Sequence, residues 1–424
     1  MKKTLVLIFS VLALVTPLFA QGSSEAKETT TVTIWHSAQG AASAVFEEIA
    51  ENFNDTIGKD KGIQIEAVYQ GKANDVLTKV NAASGTETLP DIAMMDATAA
   101  TDMNHSPYLV TVDANGVDTS TILSCGISSY TSEKGLLGLP FNASALLYYY
   151  NKSVYDASGV QAPRTLDEMK AVTKATASGE RTGFSGVPAT FELSTFIGAQ
   201  NGCSYLVNNR NGHDTMATEV LFAKEGTFKA FLEKWKAVYD EGSLNPISSG
   251  VTAEFTSGRT AAMLASSSNL TSVVNGVAGE FEVGVAPVPM VNDQATGGTV
   301  ISGGALFSFT KSEAVKTVLE YLISPEVQVK WSAATGYIPV NTKAYETEGF
   351  KAFLLENPLY QVAIDSLLSS DSRLANVWVP SAYSIYYSFQ ATIVDVLNGK
   401  NIDAAVSDME KTVQDALDSY MNQN

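Results

Sequence analysis

The stretch TVTIWHSAQG, residues 31–40, decides the fold class. Its first half alternates the β-branched residues Val32 and Ile34 with threonines, and this period of two predicts a strand. Aromatic and small polar residues follow where the strand gives way to a helical pattern: Trp35, His36, Ser37 and Gln39. Such residues are typical of the edge of an open α/β sheet where ligands bind.

Strand and helix patterns continue to alternate after this stretch. One face of a helix is marked by Phe46, Ile49, Ala50 and Phe53. A strand pattern follows at 63–69, a second helical pattern at 74–83 and a short buried strand pattern at 90–96. The order β-α-β-α-β predicts an α/β fold with a parallel sheet and helices on both faces.

Three later segments indicate that the chain passes between two α/β lobes. Residues 137–159 join two strand patterns without a helix, residues 280–289 form a strand closed by prolines, and a third crossing falls at 335–341. We therefore expect a hinge with a ligand cleft between the lobes. The expected lobe boundaries are 31–140 with 289–328 for the first lobe and 141–288 with 329–424 for the second.

The N-terminus has the pattern of a secretory signal peptide. Residues 1–20 carry Lys2 and Lys3, then an apolar run, then a small residue at Ala20. No cysteine follows the expected cut, so the usual lipoprotein acylation site is missing. Residues 21–30 are polar and predict a disordered leader. We expect an exported protein without a lipid anchor in the periplasm of a two-membrane bacterium.

The composition argues against two classes of partner. The chain of 424 residues has 27 basic and 45 acidic residues and a net charge of −18. An acidic chain without basic stripes disfavours nucleic acid and anionic membrane surfaces. Cys125 and Cys203 could pair in an oxidising compartment, but their spacing leaves this open. Neither has a Cys or His nearby at metal-ligand spacing, so no metal is expected.

Motifs that announce catalysis are missing. The three histidines, His36, His105 and His213, are not four residues apart, and GFSGV at 183–187 lacks the spacing of a nucleophile elbow. There is also no P-loop and no dinucleotide-binding glycine motif. We expect no enzyme activity and no cofactor, although two cleft carboxylates of a glycoside hydrolase stay possible among 45 acids.

The candidate cleft residues share neutral hydrogen-bonding capacity and aromatic faces. They are His36, Ser37, Gln39, Ser144, Ser266, Tyr337 and Trp378. Hydroxyls that lose water need paired donors and acceptors, and sugar rings pack well on aromatic rings, so the set predicts a small polyhydroxylated solute. Structural alternatives remain: Trp35 can belong to the core, the run 266–268 can cap a helix, and at least one of Tyr148, Tyr149 and Tyr150 packs inside.

Five segments carry a family resemblance, in order along nearly the whole chain. They are IWHSAQG (34–40), PFNASALLYYYNK (140–152), AAMLASSSNL (261–270), ISGGALF (301–307) and TGYIPVNTKAYE (335–346). With them the chain resembles the extracellular solute-binding proteins of ABC importers (family 1), and more closely their glycerol-3-phosphate-binding group than their maltose-binding group. The resemblance implies a two-lobed periplasmic binding protein-like fold of type II, a monomer that closes about its hinge and delivers its solute to an inner-membrane ABC permease.

The resemblance also implies ligand contacts. In the glycerol-phosphate pocket the matching positions are Ser144, Ser266, the backbone N–H of Gly304, Tyr337 and, with a slip of one residue, Asp96.

Three positions depart from that group's pattern. This chain has Ala73 where that group has a tyrosine, Val187 where it has a tryptophan, and Tyr386 where it has the arginine that binds phosphate. A tyrosine cannot replace an arginine's charge, although Arg373 lies nearby in sequence. Glycerol 3-phosphate, a glycerophosphodiester and a neutral sugar or oligosaccharide all stay open, with Tyr386 and Trp378 as aromatic walls for the last.

The leading hypothesis is a solute receptor that closes on its ligand. In this receptor His36 is a hydrogen-bonding residue and not a base. Two other hypotheses compete with it. One is a secreted carbohydrate-active hydrolase that uses two cleft carboxylates, with Asp96 as one of them. The other is an interaction protein with no small ligand. Turnover of a glycoside, or a lack of ligand-induced stabilisation, separates them from the receptor.

Overall fold

The computed structural model describes residues 29–294 and 297–422. The predicted signal peptide and most of the leader lie outside the described residues. In these described residues the strands form two five-stranded sheets and a two-stranded ribbon, and helices cover both five-stranded sheets. The predicted α/β class is confirmed.

The strands are β1 Thr30–His36, β2 Ile63–Tyr69, β3 Ile92–Asp96, β4 Thr131–Ser132, β5 Gly135–Leu136, β6 Gly138–Pro140, β7 Leu146–Asn151, β8 Phe184–Ser185, β9 Leu244–Asn245, β10 Ala262–Ser266, β11 Val283–Pro287 and β12 Gly304–Ser308.

The helices are α1 Ala41–Phe53, α2 Lys59–Lys61, α3 Ala73–Ala83, α4 Ala100–His105, α5 Val112–Asn115, α6 Ser124–Tyr130, α7 Lys152–Ser158, α8 Leu166–Thr176, α9 Thr190–Gly198, α10 Asn208–Gly212, α11 Thr227–Asp240, α12 Val251–Thr256, α13 Leu270–Val277, α14 Glu313–Leu322, α15 Pro325–Thr335, α16 Glu348–Glu356, α17 Leu359–Leu368, α18 Ala382–Leu397 and α19 Ile402–Met421.

The first sheet has the order β2-β1-β3-β12-β6. Strands β1, β2 and β3 are parallel, as the β-α-β-α-β pattern predicts, and β12 runs antiparallel between β3 and β6. Ile34 and Ile92 pair in register and are fully buried, because strands covered on both faces carry apolar runs. Strand β1 continues through His36, which the sequence placed after the strand end.

The second sheet has the order β11-β7-β10-β8-β9. Strand β7 is antiparallel to both of its neighbours, β10 and β11. Because alternate residues of a strand point to opposite faces, Tyr148 and Tyr149 enter two different apolar clusters, and both are fully buried. The prediction that at least one tyrosine of this run belongs to the core is confirmed.

Three chain segments cross side by side between the two sheets, and we call them the hinge: 141–145, 299–303 and 337–341. Ser144 forms an antiparallel bridge with Ser302, and Ala143 forms one with Ile338. The peptide hydrogen bonds of these bridges measure 2.6 to 3.0 Å. Two of the segments fall within the crossings predicted at 137–159 and 335–341, whereas the second lies at 299–303 and not at 280–289, where β11 forms part of the second sheet instead.

A buried glutamine ties the hinge to α15. The side-chain amide of Gln328 donates to the carbonyl of Phe141 at 2.8 Å, and its oxygen accepts from the N–H of Val340 at 2.8 Å. Gln328 is 1% exposed, so water cannot replace these bonds.

The C-terminal part is mostly helical, as predicted. Helices α18 and α19 pack with α11 in the apolar cluster on one face of the second sheet, whereas α17 contacts β11. Among residues 29–294 and 297–422, no helix combines the length and apolar character that crossing a membrane requires. Cys125 and Cys203 are not joined by a disulfide.

Candidate functional site

A cavity of 250 Å³ lies where the end of β3 meets the start of α18. Its lining combines small polar groups, backbone and aromatic rings: Asp96, Ala97, Thr98, Phe191, Ser302, Gly303, Asn376, Val377, Tyr383 and Tyr386. Residues from the first sheet, the hinge and the C-terminal helices meet here, so the cavity is part of the cleft between the sheets.

Asp96 is the carboxylate of this cavity. It ends β3 and caps the short helical turn 97–99, where it accepts a hydrogen bond from the Thr98 N–H at 3.0 Å and another from the Thr98 hydroxyl. Its second oxygen accepts from the Tyr383 hydroxyl at 2.6 Å. Asp96 thus serves as an acceptor in every one of these bonds, as an ionised carboxylate does.

Tyr383 brings α18 to the first sheet. Burial and the nearby charge of Asp96 raise the pKa of the Tyr383 phenol well above its usual value, so the hydroxyl remains a donor at neutral pH. The bond between Tyr383 and Asp96 joins residues 287 positions apart. It is a direct side-chain contact across the cleft.

Tyr386 lies one helical turn further along α18. Its hydroxyl shares a hydrogen bond of 2.8 Å with the Ser194 hydroxyl on α9, and the residue is 3% exposed. Burial raises the pKa of Tyr386 to about 12. Tyr386 therefore contributes an uncharged aromatic wall to the cavity.

A second cavity of 470 Å³ adjoins the first through Phe191. It lies between β8, the start of α9, the end of β10 and α18, and its polar lining includes Ser248, Ser266, Asn269 and Gln390. Tyr387 also lines it and is 59% exposed, so its ring is available for contact with a solute.

Glu192 is the carboxyl group of the second cavity. One of its oxygens accepts the Ala189 N–H at 2.6 Å at the start of α9. Burial raises the pKa of Glu192 to about 7. The carboxyl group therefore accepts a hydrogen bond at the start of α9 and also lines the cavity.

The residues of both cavity linings that can carry a charge at neutral pH are acidic. In the described part of the chain, Asp96 and Glu192 line the two cavities, and neither lining includes a lysine, an arginine or a histidine. No cluster of three or more metal-ligating side chains occurs in residues 29–294 and 297–422.

Several predicted site residues are brought together by this geometry. Asp96 and Tyr386 line the first cavity, and Ser266 lines the second. Ser266 also caps the turn that follows β10, by accepting the Ser268 N–H at 3.3 Å. Tyr337 is hydrogen-bonded to Ser268, and burial raises its pKa. Tyr337 is therefore close to the cleft without lining either cavity.

One predicted residue, Ser144, belongs to the hinge, and another, Gly304, begins β12 directly after it. Gly304 pairs with Asp96 in the first sheet, but its N–H already donates to the side-chain oxygen of Asn142 at 2.8 Å. Ser144 is 1% exposed, and its backbone is paired with Ser302. Their neighbours Ser302 and Gly303 line the cavity instead.

The three predicted residues of the first strand end lie apart from both cavities. His36 is 1% exposed, packs its ring 4.9 Å from that of Phe46, and burial lowers its pKa. The longer β1 explains this, since His36 continues the buried alternation of Val32 and Ile34 and lies on the same sheet face, against α1. Ser37 is half-buried and Gln39 is exposed. Their role as ligand contacts stays a prediction.

Trp378 is buried behind the cavity wall and does not line the cavity. It is 3% exposed and stacks on the ring of His213 at 3.7 Å, whereas Asn376 and Val377 line the cavity. Arg373 lines neither cavity, and its guanidinium holds Asp371 at 3.0 Å. The displaced arginine considered from the sequence is therefore already paired.

The sequence reasoning missed Tyr383, Thr98, Phe191, Ser302 and Asn376. A signal existed for two of them. Tyr383 precedes Tyr386 by three residues, which places both on one face of a helix. Thr98 follows Asp96 by two, the spacing of an aspartate-capped turn.

Two sheets joined by a three-segment hinge, with a polar and aromatic cleft between them, define a two-lobed binding protein. The chain belongs to the bacterial extracellular solute-binding protein family, whose profile matches residues 48–357.

Individual relatives agree with this assignment. The chain is 28% identical over 367 residues to the sn-glycerol-3-phosphate-binding periplasmic protein UgpB of Yersinia pseudotuberculosis, and the match covers 82% of each chain. Its fold is similar to that of the sugar-binding protein MalE from Xanthomonas citri, with a TM-score of 0.76, 23% identity and coverage of 92% of this chain and 98% of that one. It is also similar to UgpB from Mycobacterium tuberculosis in complex with glycerophosphocholine, with a TM-score of 0.73, 21% identity and coverage of 93% and 100%.

Proposed function

We propose that this protein is the solute receptor of an ABC importer and captures a sugar or a glycerol-derived solute in the cleft. The observation that carries the proposal is the cavity where Asp96 meets Tyr383 across the two sheets. Its neutral donors and acceptors suit hydroxyl groups, and its rings suit the apolar faces of a sugar or glyceryl chain. Family membership supports the same role.

The mechanism is closure about the hinge. The proposed lobes are residues 31–140 with 289–328 and residues 141–288 with 329–424, which assigns each five-stranded sheet to one lobe. The hinge segments 299–303 and 337–341 follow the last two of these boundaries, and the last boundary falls within α15. A solute that contacts Asp96 on one side and α18 on the other stabilises the closed form, because only that form makes both sets of contacts. The closed monomer then docks on the permease in the inner membrane.

Binding without turnover fits the chemistry of the cleft carboxyl groups. Asp96 is held by Thr98 and Tyr383, and Glu192 is held by the start of α9. In a glycoside hydrolase two carboxyl groups flank one scissile bond, whereas Asp96 and Glu192 line different cavities. The periplasm is the proposed compartment.

A thermal-shift screen tests the proposal. The purified protein is heated with sugars, polyols, glycerol 3-phosphate and glycerophosphodiesters, each in excess. A solute at a hundred times its dissociation constant adds about 2.7 kcal/mol to the free energy of unfolding. We expect at least one class to raise Tm and Asp96→Ala to abolish that rise, whereas Asp60→Ala, at an exposed site, leaves it unchanged. No rise with any class contradicts the proposal.

A further inference from the structure

We infer that Arg210 is a positioning residue for solute capture, which latches the two proposed lobes together and slows the release of a solute from the cleft. Arg210 lines neither cavity, so it acts on a bound solute through the elements that it connects. This inference rests on the proposed function and adds a device that regulates it. Three features support it: the contacts of the guanidinium, the backbone that carries it, and the bonds from that backbone to the cavity wall.

The guanidinium of Arg210 reaches from the second sheet's side of the cleft to α6. Its Nη2 donates to the carbonyl of Thr131 at 3.1 Å, and its Nη1 donates to the carbonyl of Ser128 at 3.5 Å. Both carbonyls lie at the end of α6, which packs against β6 of the first sheet. Its Nε is held by Asp214 at 2.9 Å, which orients the guanidinium. Because a helix C-terminus carries partial negative charge, the cation is favourable there.

The backbone that carries Arg210 has a conformation that residues other than glycine rarely adopt. Asn209, Arg210 and Asn211 in α10 have φ values of 55°, 53° and 58°, so this element is a turn of left-handed backbone. Each such residue costs free energy and persists only where its surroundings hold it. The buried side-chain oxygen of Asn211 does so by accepting the N–H of Leu206 at 2.7 Å. Strained backbone of this kind clusters at functional contacts, and Arg210 extends from the centre of the turn.

Two hydrogen bonds tie the left-handed turn to the wall of the first cavity, residues 375–378. The side-chain amide of Asn211 donates to the carbonyl of Ala375 at 3.0 Å. The backbone N–H of Trp378 donates to the carbonyl of Asn211 at 2.8 Å. The turn that carries Arg210 and the wall are therefore held in one geometry.

The same wall contacts both the cavity and the hinge. Asn376 and Val377 line the cavity. The carbonyl of Asn376 accepts from the ring of His213 at 2.8 Å, and its side-chain amide donates to the carbonyl of Ile301 in the hinge at 2.9 Å. A solute that packs on the wall therefore fixes the turn behind it, and the turn fixes the direction of the latch.

Solution scattering of an Arg210→Gly variant without added solute tests the latch. Glycine adopts the left-handed conformation without steric cost, so the variant keeps the turn and loses the side chain. We expect a folded protein by circular dichroism whose radius of gyration exceeds that of the unchanged protein, because the contact with α6 is lost. An unchanged radius in the folded variant overturns the inference.

Two control variants isolate the contact across the cleft. Asn209→Gly makes the same backbone change at the preceding residue and removes a 2.9 Å bond to the carbonyl of Met216, on the same side of the cleft. Arg181→Ala removes an arginine that donates to the carbonyl of Thr176 at the end of α8 at 3.1 Å, within one proposed lobe. Both should keep the radius of the unchanged protein. A radius as large as that of Arg210→Gly in either control overturns the assignment to Arg210.

Stopped-flow tryptophan fluorescence measures the release of solute. The probes are maltose, glycerol 3-phosphate and glycerophosphocholine, and both rate constants are measured for each probe that binds. We expect dissociation from Arg210→Gly to be about 10-fold faster with association nearly unchanged, since losing one charged hydrogen bond from the closed form has that effect. Equal dissociation rates overturn the inference. If the unchanged protein binds no solute of the thermal-shift screen, the proposed function falls, whereas the scattering comparison still decides whether Arg210 holds the lobes together.

Discussion

The hinge and the cleft both connect the two sheets, but they do so with different kinds of bond. In the hinge, three chain segments are joined by peptide hydrogen bonds, and the buried amide of Gln328 holds them to α15. In the cleft, side chains make the contact: Asp96 with Tyr383 at 2.6 Å, and Arg210 with the carbonyl of Thr131 at 3.1 Å.

The hinge contacts must persist during solute capture, whereas the cleft contacts must change. Peptide bridges between neighbouring segments can bend together and stay intact. Single side-chain bonds across a cleft can break and re-form with each opening, since each contributes little on its own. We therefore expect changes in the hinge to lower the free energy of unfolding, and changes in the cleft to alter the population of the closed form.

The largest effect is expected for Gly303→Ala in the hinge. Gly303 has a φ of +139°, and an added Cβ would lie 2.2 Å from the carbonyl oxygen of Asn142. We expect a loss of more than about 4 kcal/mol in the free energy of unfolding, measured by urea denaturation. The adjacent Gly304→Ala is the control: its Cβ meets nothing closer than 3.6 Å, and it should cost less than about 1 kcal/mol. Equal losses would contradict the account.

Gln328→Ala tests the buried amide of the hinge. It leaves the carbonyl of Phe141 and the N–H of Val340 buried without their partner, and we expect a loss of about 3 kcal/mol in urea. Gln361→Ala removes an exposed bond within one helix and should change the free energy of unfolding by less than about 0.5 kcal/mol. A similar value for both variants would show that the amide does not hold the hinge.

The buried His213, which stacks on Trp378, should make the free energy of unfolding depend on pH. Burial lowers its pKa from 6.5 to about 4, so the unfolded chain binds more protons than the folded chain between these values. Its contribution to stability is complete above pH 6.5 and is lost as pH falls towards 4. When the pH is lowered from 7 to 4.5, the free energy of unfolding of the unchanged protein should fall by about 2 kcal/mol more than that of the His213→Gln variant. An identical pH dependence in both proteins would refute this.

The smallest effect is expected for a pair of tyrosines one turn apart on α18. Tyr383→Phe removes the bond to Asp96, so the ligand-free protein should open and its radius of gyration in solution scattering should rise. Tyr386→Phe removes the hydrogen bonds of that hydroxyl to Ser194 and to the Val377 backbone, both inside one proposed lobe, and should cost about 1 kcal/mol of stability without a change in that radius. The reverse pattern would place the cross-cleft contact elsewhere.

The sequence predicted the first elements because they depend on local patterns, and periodicity located the first strands. Asp96, in contrast, came from the family resemblance, which expects an acid just after the buried strand at 90–96. The first hinge crossing was visible as two strand patterns without an intervening helix, whereas the second was expected at 280–289 and lies at 299–303. Such signals need no knowledge of which distant segments meet.

The rest of the site depends on contacts that no local pattern encodes. Helix α18 carries Tyr383, Tyr386 and Tyr387, and which of them reaches Asp96 depends on how the helix is rotated against its lobe. Trp378 was expected on the cleft wall but stacks on His213, a residue 165 positions earlier in the chain. His36 became buried because β1 is longer than its alternation indicated.

The position of β12 has a consequence for how the molecule is made. This strand lies between β3 and β6, so the first sheet stays divided until residues 304–308 have emerged. As the chain emerges from its N-terminus, every strand of the second sheet is therefore available before the strand that completes the first. Pairing partners so far apart in sequence form slowly. We therefore expect the first sheet to be completed after the second during synthesis.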